Sequence, residues 1–240
     1  STEIKPILKL LKTYDINLKL ISEYISTGKY FHTDSTFFKK IKIFPVSSFK
    51  IFDLKKNKLL KSRKYWKLIK KKKYICKDYK QFYKEFLKNF EKALKYNFVS
   101  DVKLSLLLSS GNDSVFIHDC IKKKTFNELS CFTYGWRDNQ YNEIKRLKKI
   151  NLSIKKHHKY TIQPRKIFND LKSLIHKFEG PVGGFGTLAQ YYLFRNISKK
   201  KIKVAFSGEG ADEFLLGYKN FSIILNNQNN KNKFKIIFIM

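Results

Sequence analysis

Val102-Lys103-Leu104-Ser105-Leu106-Leu107-Leu108 runs without a break into Ser109-Ser110-Gly111-Asn112-Asp113-Ser114. The first seven residues are apolar and nearly uncharged, the pattern of a short strand buried on both faces of a parallel sheet. The next six are small and polar, and Val115-Phe116-Ile117 then opens a helix. A strand, a tight loop of small residues and a helix start form an anion cradle. Loop N–H groups converge on one spot, and the helix dipole adds partial positive charge there. The nucleoside-triphosphate loop GxxxxGK(S/T) needs a lysine beside its terminal hydroxyl residue, and none is present. The glycine spacing of a dinucleotide-binding turn is absent too.

Working outward, the same grammar repeats. Leu129 to Tyr134 is a second β-rich run ending at Gly135, and Ser153 to Tyr160 is a third extended piece. Helical patterns fill the intervals: Tyr141 to Ile150, Ile167 to Phe178 (closed by Gly180-Pro181) and Leu188 to Ile197. Ile202 to Phe206 is a further buried-looking strand, ending in Ser207-Gly208-Glu209-Gly210-Ala211-Asp212-Glu213. Strands alternating with helices predict βαβ units, hence an α/β fold with a parallel sheet and flanking helices. Ligands of such sheets bind at the carboxyl ends of the strands, where both small-residue loops fall. His157-His158 lies on an extended piece, so the two rings face opposite sides and suit packing better than a shared ion.

Upstream, residues 1–26 carry an apolar stripe at helical spacing that stops at Gly28. Ile41 to Leu54 reads as extended around Pro45, Lys55 to Lys58 as a turn and Leu59 to Trp66 as a return strand. Lys67 to Ile75 reads as a basic linker. From Tyr79 to Tyr96, Phe82, Phe86, Leu87, Phe90 and Leu94 form one face of an amphipathic helix, a packing face rather than a cofactor box. After Tyr218 come the low-complexity run Asn226 to Asn230 and an apolar stub, Phe234 to Met240. The chain opens on Ser1 and stops before its architecture closes, so it reads as a segment of a longer protein.

Composition narrows the class. A hydrophobic share of 42% supports a packed core, which excludes global disorder. Cys76, Cys120 and Cys131 are widely spaced and odd in number, giving neither a disulfide framework nor a zinc site. No stretch reaches membrane-span length and no signal segment is visible, so the expected location is cytoplasmic, without a membrane partner. The net charge is +32, from 51 basic and 19 acidic residues. Lys, Asn, Ile, Phe and Tyr are inflated together and the lysines are scattered, so the charge reads as compositional and no specific nucleic-acid partner is expected.

The first loop resembles the S-G-G-x-D-S pyrophosphate loop of ATP pyrophosphatases, with Ser110 at the second position in place of Gly. Together, the two loops resemble the synthetase domain of the glutamine-hydrolysing asparagine synthetase family. There the second loop reads S-G-E-G-A/S-D-E and closes on G-G-Y; here the close is Leu216-Gly217-Tyr218. The likeness extends to Phe132-Thr133-Tyr134-Gly135, Tyr141-Asn142-Glu143 and Glu179-Gly180-Pro181. At the front, Ser1 to Lys5 and Phe44-Pro45 to Tyr65-Trp66 resemble the end of that family's glutaminase domain.

The resemblance implies an adenine nucleotide alpha hydrolase-like ATP pyrophosphatase domain over residues 76–240. Residues 1–70 would then be the C-terminal part of an N-terminal-nucleophile glutamine amidotransferase domain. It implies a ligase: aspartate is activated by ATP as an acyl-adenylate, pyrophosphate leaves, and ammonia from glutamine displaces AMP to give asparagine. The nucleophilic cysteine of the glutaminase is not in this sequence, so glutamine hydrolysis is not expected of it. Implied cofactors are ATP and Mg²⁺, with Asp113 and Asp212 as metal ligands. Ser109, Gly111, Asp113 and Ser114 would hold pyrophosphate, Leu107, Tyr134, Ser207 and Gly208 would flank the adenosine, and Glu209 would be general base. A homodimer is implied for the full-length enzyme. Three alternatives stay open: a sister amidotransferase acting on a sugar or other metabolite carboxylate, a tRNA-modifying pyrophosphatase, and an inactive basic binding remnant.

Overall fold

The computed structural model describes residues 1–30, 33–67, 78–123, 129–137, 142–215 and 217–218. Residues 68–75 of the expected linker, Cys76, Tyr141, Leu216, the asparagine run and the C-terminal stub lie outside the described residues. The chain divides into two compact units, one of residues 1–70 with 172–182 and the other of most of the remainder.

In the first unit, the apolar stripe of residues 1–26 is two helices rather than one. Helix α1 (Ile4–Leu11) ends where Lys12 adopts φ 57°, and α2 (Leu18–Thr27) begins after Asn17, whose side chain accepts the Leu20 N–H. Between them Ile16 bridges to Phe38. Gly28 ends α2 as expected: at φ 70° it takes the left-handed cap that costs glycine least. Glu179, distant in sequence, caps α1 by accepting the N–H groups of Ile4 (2.6 Å) and Lys5 (2.8 Å). The extended piece expected from Ile41 becomes a ladder only at β1 (Ser48–Asp53), which pairs antiparallel with β2 (Lys58–Lys64). Pro45 has no N–H to give a ladder and Ser47 turns at φ 53°, so residues 41–47 cannot pair regularly.

The second unit opens with α3 (Tyr79–Asn97) and holds four parallel strands: β3 (Leu104–Leu107), β4 (Ser130–Trp136), β5 (Lys156–Ile162) and β6 (Val204–Phe206). They lie in the order β5-β4-β3-β6. The helices are α4 (Asn112–Lys123), α5 (Glu143–Ile150), α6 (Pro164–Phe178, which runs on into the first unit), α7 (Gly184–Lys199) and the short α8 (Ala211–Leu215). This is the parallel α/β sheet the alternation predicted.

Burial follows the pleat. Leu106 and Cys131 join Leu147 of α5 and Ile117 of α4 on one face. Their chain neighbours Leu107 and Phe132 join Leu193 and Ile197 of α7 on the other. A strand between two helical layers has no solvent face, which is why β3 reads as an unbroken apolar run. The α3 aromatics pack as expected, with Phe90 4.8 Å from Phe116 of α4, ring centre to ring centre. Cys131 is buried, which pushes its thiol up to about 12 and leaves it unreactive.

The strand order positions the site. The chain steps from β3 outward through β4 to β5, then returns to lay β6 on the opposite side of β3, pairing Leu106 with Phe206. The crossover direction reverses at β3, so a crevice opens at the carboxyl ends of β3 and β6.

Candidate nucleotide site

The two loops line one cleft of about 440 Å³ at that crevice. From the β3 side it receives Leu107, Ser109, Gly111, Asp113 and Ser114, with Tyr134 from β4. From the β6 side come Ser207, Gly208, Glu209 and Asp212. Every residue singled out in the sequence for the site therefore reaches one cavity.

The first loop is held from inside. The buried Ser114 hydroxyl accepts the Ser109 N–H (3.1 Å) and shares a hydrogen bond with the Ser109 hydroxyl (2.9 Å), while Ser109 Oγ accepts the Gly111 N–H (3.2 Å). The Ser109 and Gly111 N–H groups thus donate within the loop itself. The first intrahelical bond of α4 runs from the Val115 N–H to the Gly111 carbonyl (3.2 Å). The amides of Asn112, Asp113 and Ser114 precede it and form the anion-attracting end of α4.

Ser110 departs from the loop's usual glycine without strain. It is not among the positive-φ residues, and both its N–H (2.7 Å) and its hydroxyl (2.6 Å) donate to Oε2 of Glu143 in the first turn of α5. The serine adds a tether that a glycine could not make.

Glycines fix the contact between the loops. A β-carbon on Gly208 would lie 2.9 Å from Asp113 Cβ, closer than real β-carbons approach, and a tight 3.0 Å from the Ser114 nitrogen. Gly210 takes φ 90°. Gly217, the one glycine kept from the resembling G-G-Y ending, donates its N–H to the Asp212 carbonyl (3.0 Å). A β-carbon there would overlap the Asp212 carboxylate. Tyr218 follows, and its hydroxyl donates to Glu213 Oε1 (2.8 Å).

Electrostatically the cleft inverts the chain. Its charged lining residues among those described are Asp113, Glu209, Asp212 and Glu213, all acidic, in a protein of net charge +32. Partial burial, and secondarily the Asp212 charge, raise the Asp113 carboxyl above its ordinary range. A cation beside Asp113 would offset the Asp212 charge that it feels. Among the described residues no cluster of three or more His, Cys, Asp or Glu is placed to hold a metal. A pair of carboxylates suits Mg²⁺, which takes few protein ligands and completes its octahedron with water and phosphate oxygens.

Sequence reading missed Gln190 and Leu193 of α7, which line the cleft beside the loops. Nothing in the local pattern marks Gln190: it sits in an ordinary helix next to Ala189, which is fully buried. Its side-chain N–H donates to Glu209 Oε1. The paired histidines are satisfied, as expected. His157 Nε2 lies 2.8 Å from the Thr133 hydroxyl, and the His158 ring centre lies 4.7 Å from that of Phe132.

Comparison with known proteins points to one family. The sequence model of the family described as Asparagine synthase matches residues 85–237. "Asparagine synthetase (glutamine-hydrolyzing) 1" of Bacillus subtilis (strain 168) is 32% identical over 121 residues, covering 50% of this chain and 19% of that protein. "Putative asparagine synthetase (glutamine-hydrolyzing) 2" of Methanocaldococcus jannaschii is 28% identical over 236 residues, 91% of this chain and 42% of that protein. The chain thus spans less than half the length of either relative. Among the described residues, no helix is long and apolar enough to cross a membrane.

Proposed function

This chain belongs to the asparagine synthase family, and we propose that its cleft binds Mg-ATP and activates a carboxylate, that of aspartate, for amide formation. The observation that carries the reading is the seating of Gly208 on Asp113, which sets the two loops face to face with Asp113 and Asp212 in one cavity.

In this reading the α4 amino end and the Ser109 and Ser114 hydroxyls receive the β- and γ-phosphates. Leu107, Tyr134, Ser207 and Gly208 flank the adenosine. Asp113 and Asp212 hold the Mg²⁺, whose charge offsets that gathering on the leaving pyrophosphate. An aspartate carboxylate oxygen bonds to the α-phosphorus as the bond to pyrophosphate breaks. Ammonia nitrogen then bonds to the acyl carbon, AMP leaves with the electron pair, and Glu209 accepts the proton lost by nitrogen. Residues 1–70 are read as the end of a glutaminase domain, supported by a match that covers 91% of the chain and so reaches into them.

The test is aspartate- and ammonia-dependent formation of AMP and pyrophosphate by the full-length protein. Asp113→Ala and Asp212→Ala are each expected to abolish it. Unchanged pyrophosphate release in either variant removes the metal assignment. AMP formation with a sugar or other metabolite carboxylate, but not aspartate, transfers the activity to that acceptor. If calorimetry detects no ATP binding with or without Mg²⁺, the chain is a remnant.

A further inference from the structure

We infer that Gln190 is the positioning residue of Glu209, fixing its carboxylate for the nitrogen-attack half of the reaction and not for adenylation. The inference rests on the reading of Glu209 as general base.

Glu209 stands between two glycines, Gly208 and Gly210, and is itself exposed. Gly210 is at φ 90°. A side chain on so permissive a backbone is not oriented by its own loop. The rigid partner is α7, anchored to the sheet by Leu193 and Ile197, which with Ala189 are buried at i, i+4 and i+8. Gln190 projects from that helix beside Leu193 into the cleft and donates its side-chain N–H to Glu209 Oε1. An ionised carboxylate only accepts, which fixes the amide orientation with nitrogen toward Glu209.

The residue type suits the task. A lysine or arginine there would pair with Glu209 and neutralise it, removing the charge a base needs. A glutamine binds one oxygen, brings no charge among four carboxylates, and leaves Oε2 with its lone pairs open to the incoming nitrogen's proton. Proton transfer depends on that oxygen lying within hydrogen-bond reach of the nucleophile, so a loose carboxylate slows the step even when its chemistry is intact. Adenylation needs no proton removed by Glu209.

The experiment separates the half-reactions in the full-length protein. Aspartate-dependent exchange of labelled pyrophosphate into ATP reports adenylation, and asparagine formation with ammonium as nitrogen donor reports the complete reaction. Gln190→Met keeps the side-chain length without the donor. It is expected to keep exchange within about threefold and to lose roughly 10- to 100-fold in the kcat of amide formation, with an unchanged urea midpoint. Glu209→Gln, measured alongside, is expected to lose amide formation more severely. If Glu209→Gln abolishes amide formation while Gln190→Met leaves it at the wild-type rate, the role of Gln190 is refuted and the base assignment stands. An equal loss of exchange and amide formation in Gln190→Met also refutes it, because Gln190 then supports the cleft as a whole. If Glu209→Gln forms amide normally, the base reading falls and takes this inference with it.

Discussion

Gly208 packs against Asp113 and Ser114 with no room for a methyl group, which brings the two loops of the cleft together. The backbone of one loop rests on the first turn of α4 from the other, in the cleft that Asp113 and Asp212 both line.

Gly208→Ala is therefore expected to force the loops apart. Overpacking of this kind costs about 1–3 kcal/mol. Urea denaturation should show that loss, and calorimetry should show Mg-ATP affinity falling further than the stability alone accounts for. Wild-type affinity in a correctly folded Gly208→Ala protein would contradict the contact.

Asp113 carries the cost of its position in the metal-free protein. Its folded-state carboxyl is raised by burial and then by Asp212, so the group favours folding while protonated and opposes it once ionised. That contribution is present at low pH and is lost as pH rises through the raised value. Asp113→Asn should thus be more thermostable than wild type at pH 7 in EDTA, and the difference should vanish below the ordinary carboxylate range. The same variant should lose Mg-ATP binding.

His157 works in the opposite sense. Thr133 donates its hydroxyl to the Leu108 carbonyl (2.7 Å), so the bond between Thr133 and His157 must be donated by His157 Nε2–H. Burial first, and then Lys159, lower the ring to about 4 from 6.5. A depressed value favours the neutral ring in the fold. The stability it gives is complete above pH 6.5 and is lost as pH falls toward 4. His157→Gln, which keeps a donor without a titration, should flatten the urea midpoint between pH 7 and 4.5. An unchanged slope would argue against this role for the partly buried His157.

Ser110→Gly restores the glycine of the resembling loop, and the structure predicts no benefit. Ser110 has no strain to relieve, and the change deletes its 2.6 Å bond to Glu143 while adding backbone freedom. A destabilisation of about 1 kcal/mol is expected. Improved stability in urea would show that serine is strained there after all.

Thr133→Val removes a hydroxyl that is fully buried and keeps the shape. It strands the Leu108 carbonyl and the His157 N–H together, an expected cost of about 1–3 kcal/mol by denaturant titration.

By itself, the sequence determined the local elements and the chemistry at their ends. The run Leu104 to Leu108 reads as a strand because both its faces are covered, and composition alone records that. Gly28, Gly208 and Gly210 stand where a turn or a close approach excludes a β-carbon, so the residue type announces the geometry. The stripe of residues 1–26 was ambiguous for a physical reason: a helix and its break share the same apolar spacing, and the left-handed turn at Lys12 carries no glycine to mark it. Only the tertiary structure laid β6 beside β3, since strand order depends on long-range packing that no local pattern encodes. The same packing brought Glu143 to Ser110, 33 residues away, and Gln190 to Glu209. A glutamine on a helix is silent until the fold shows what it faces.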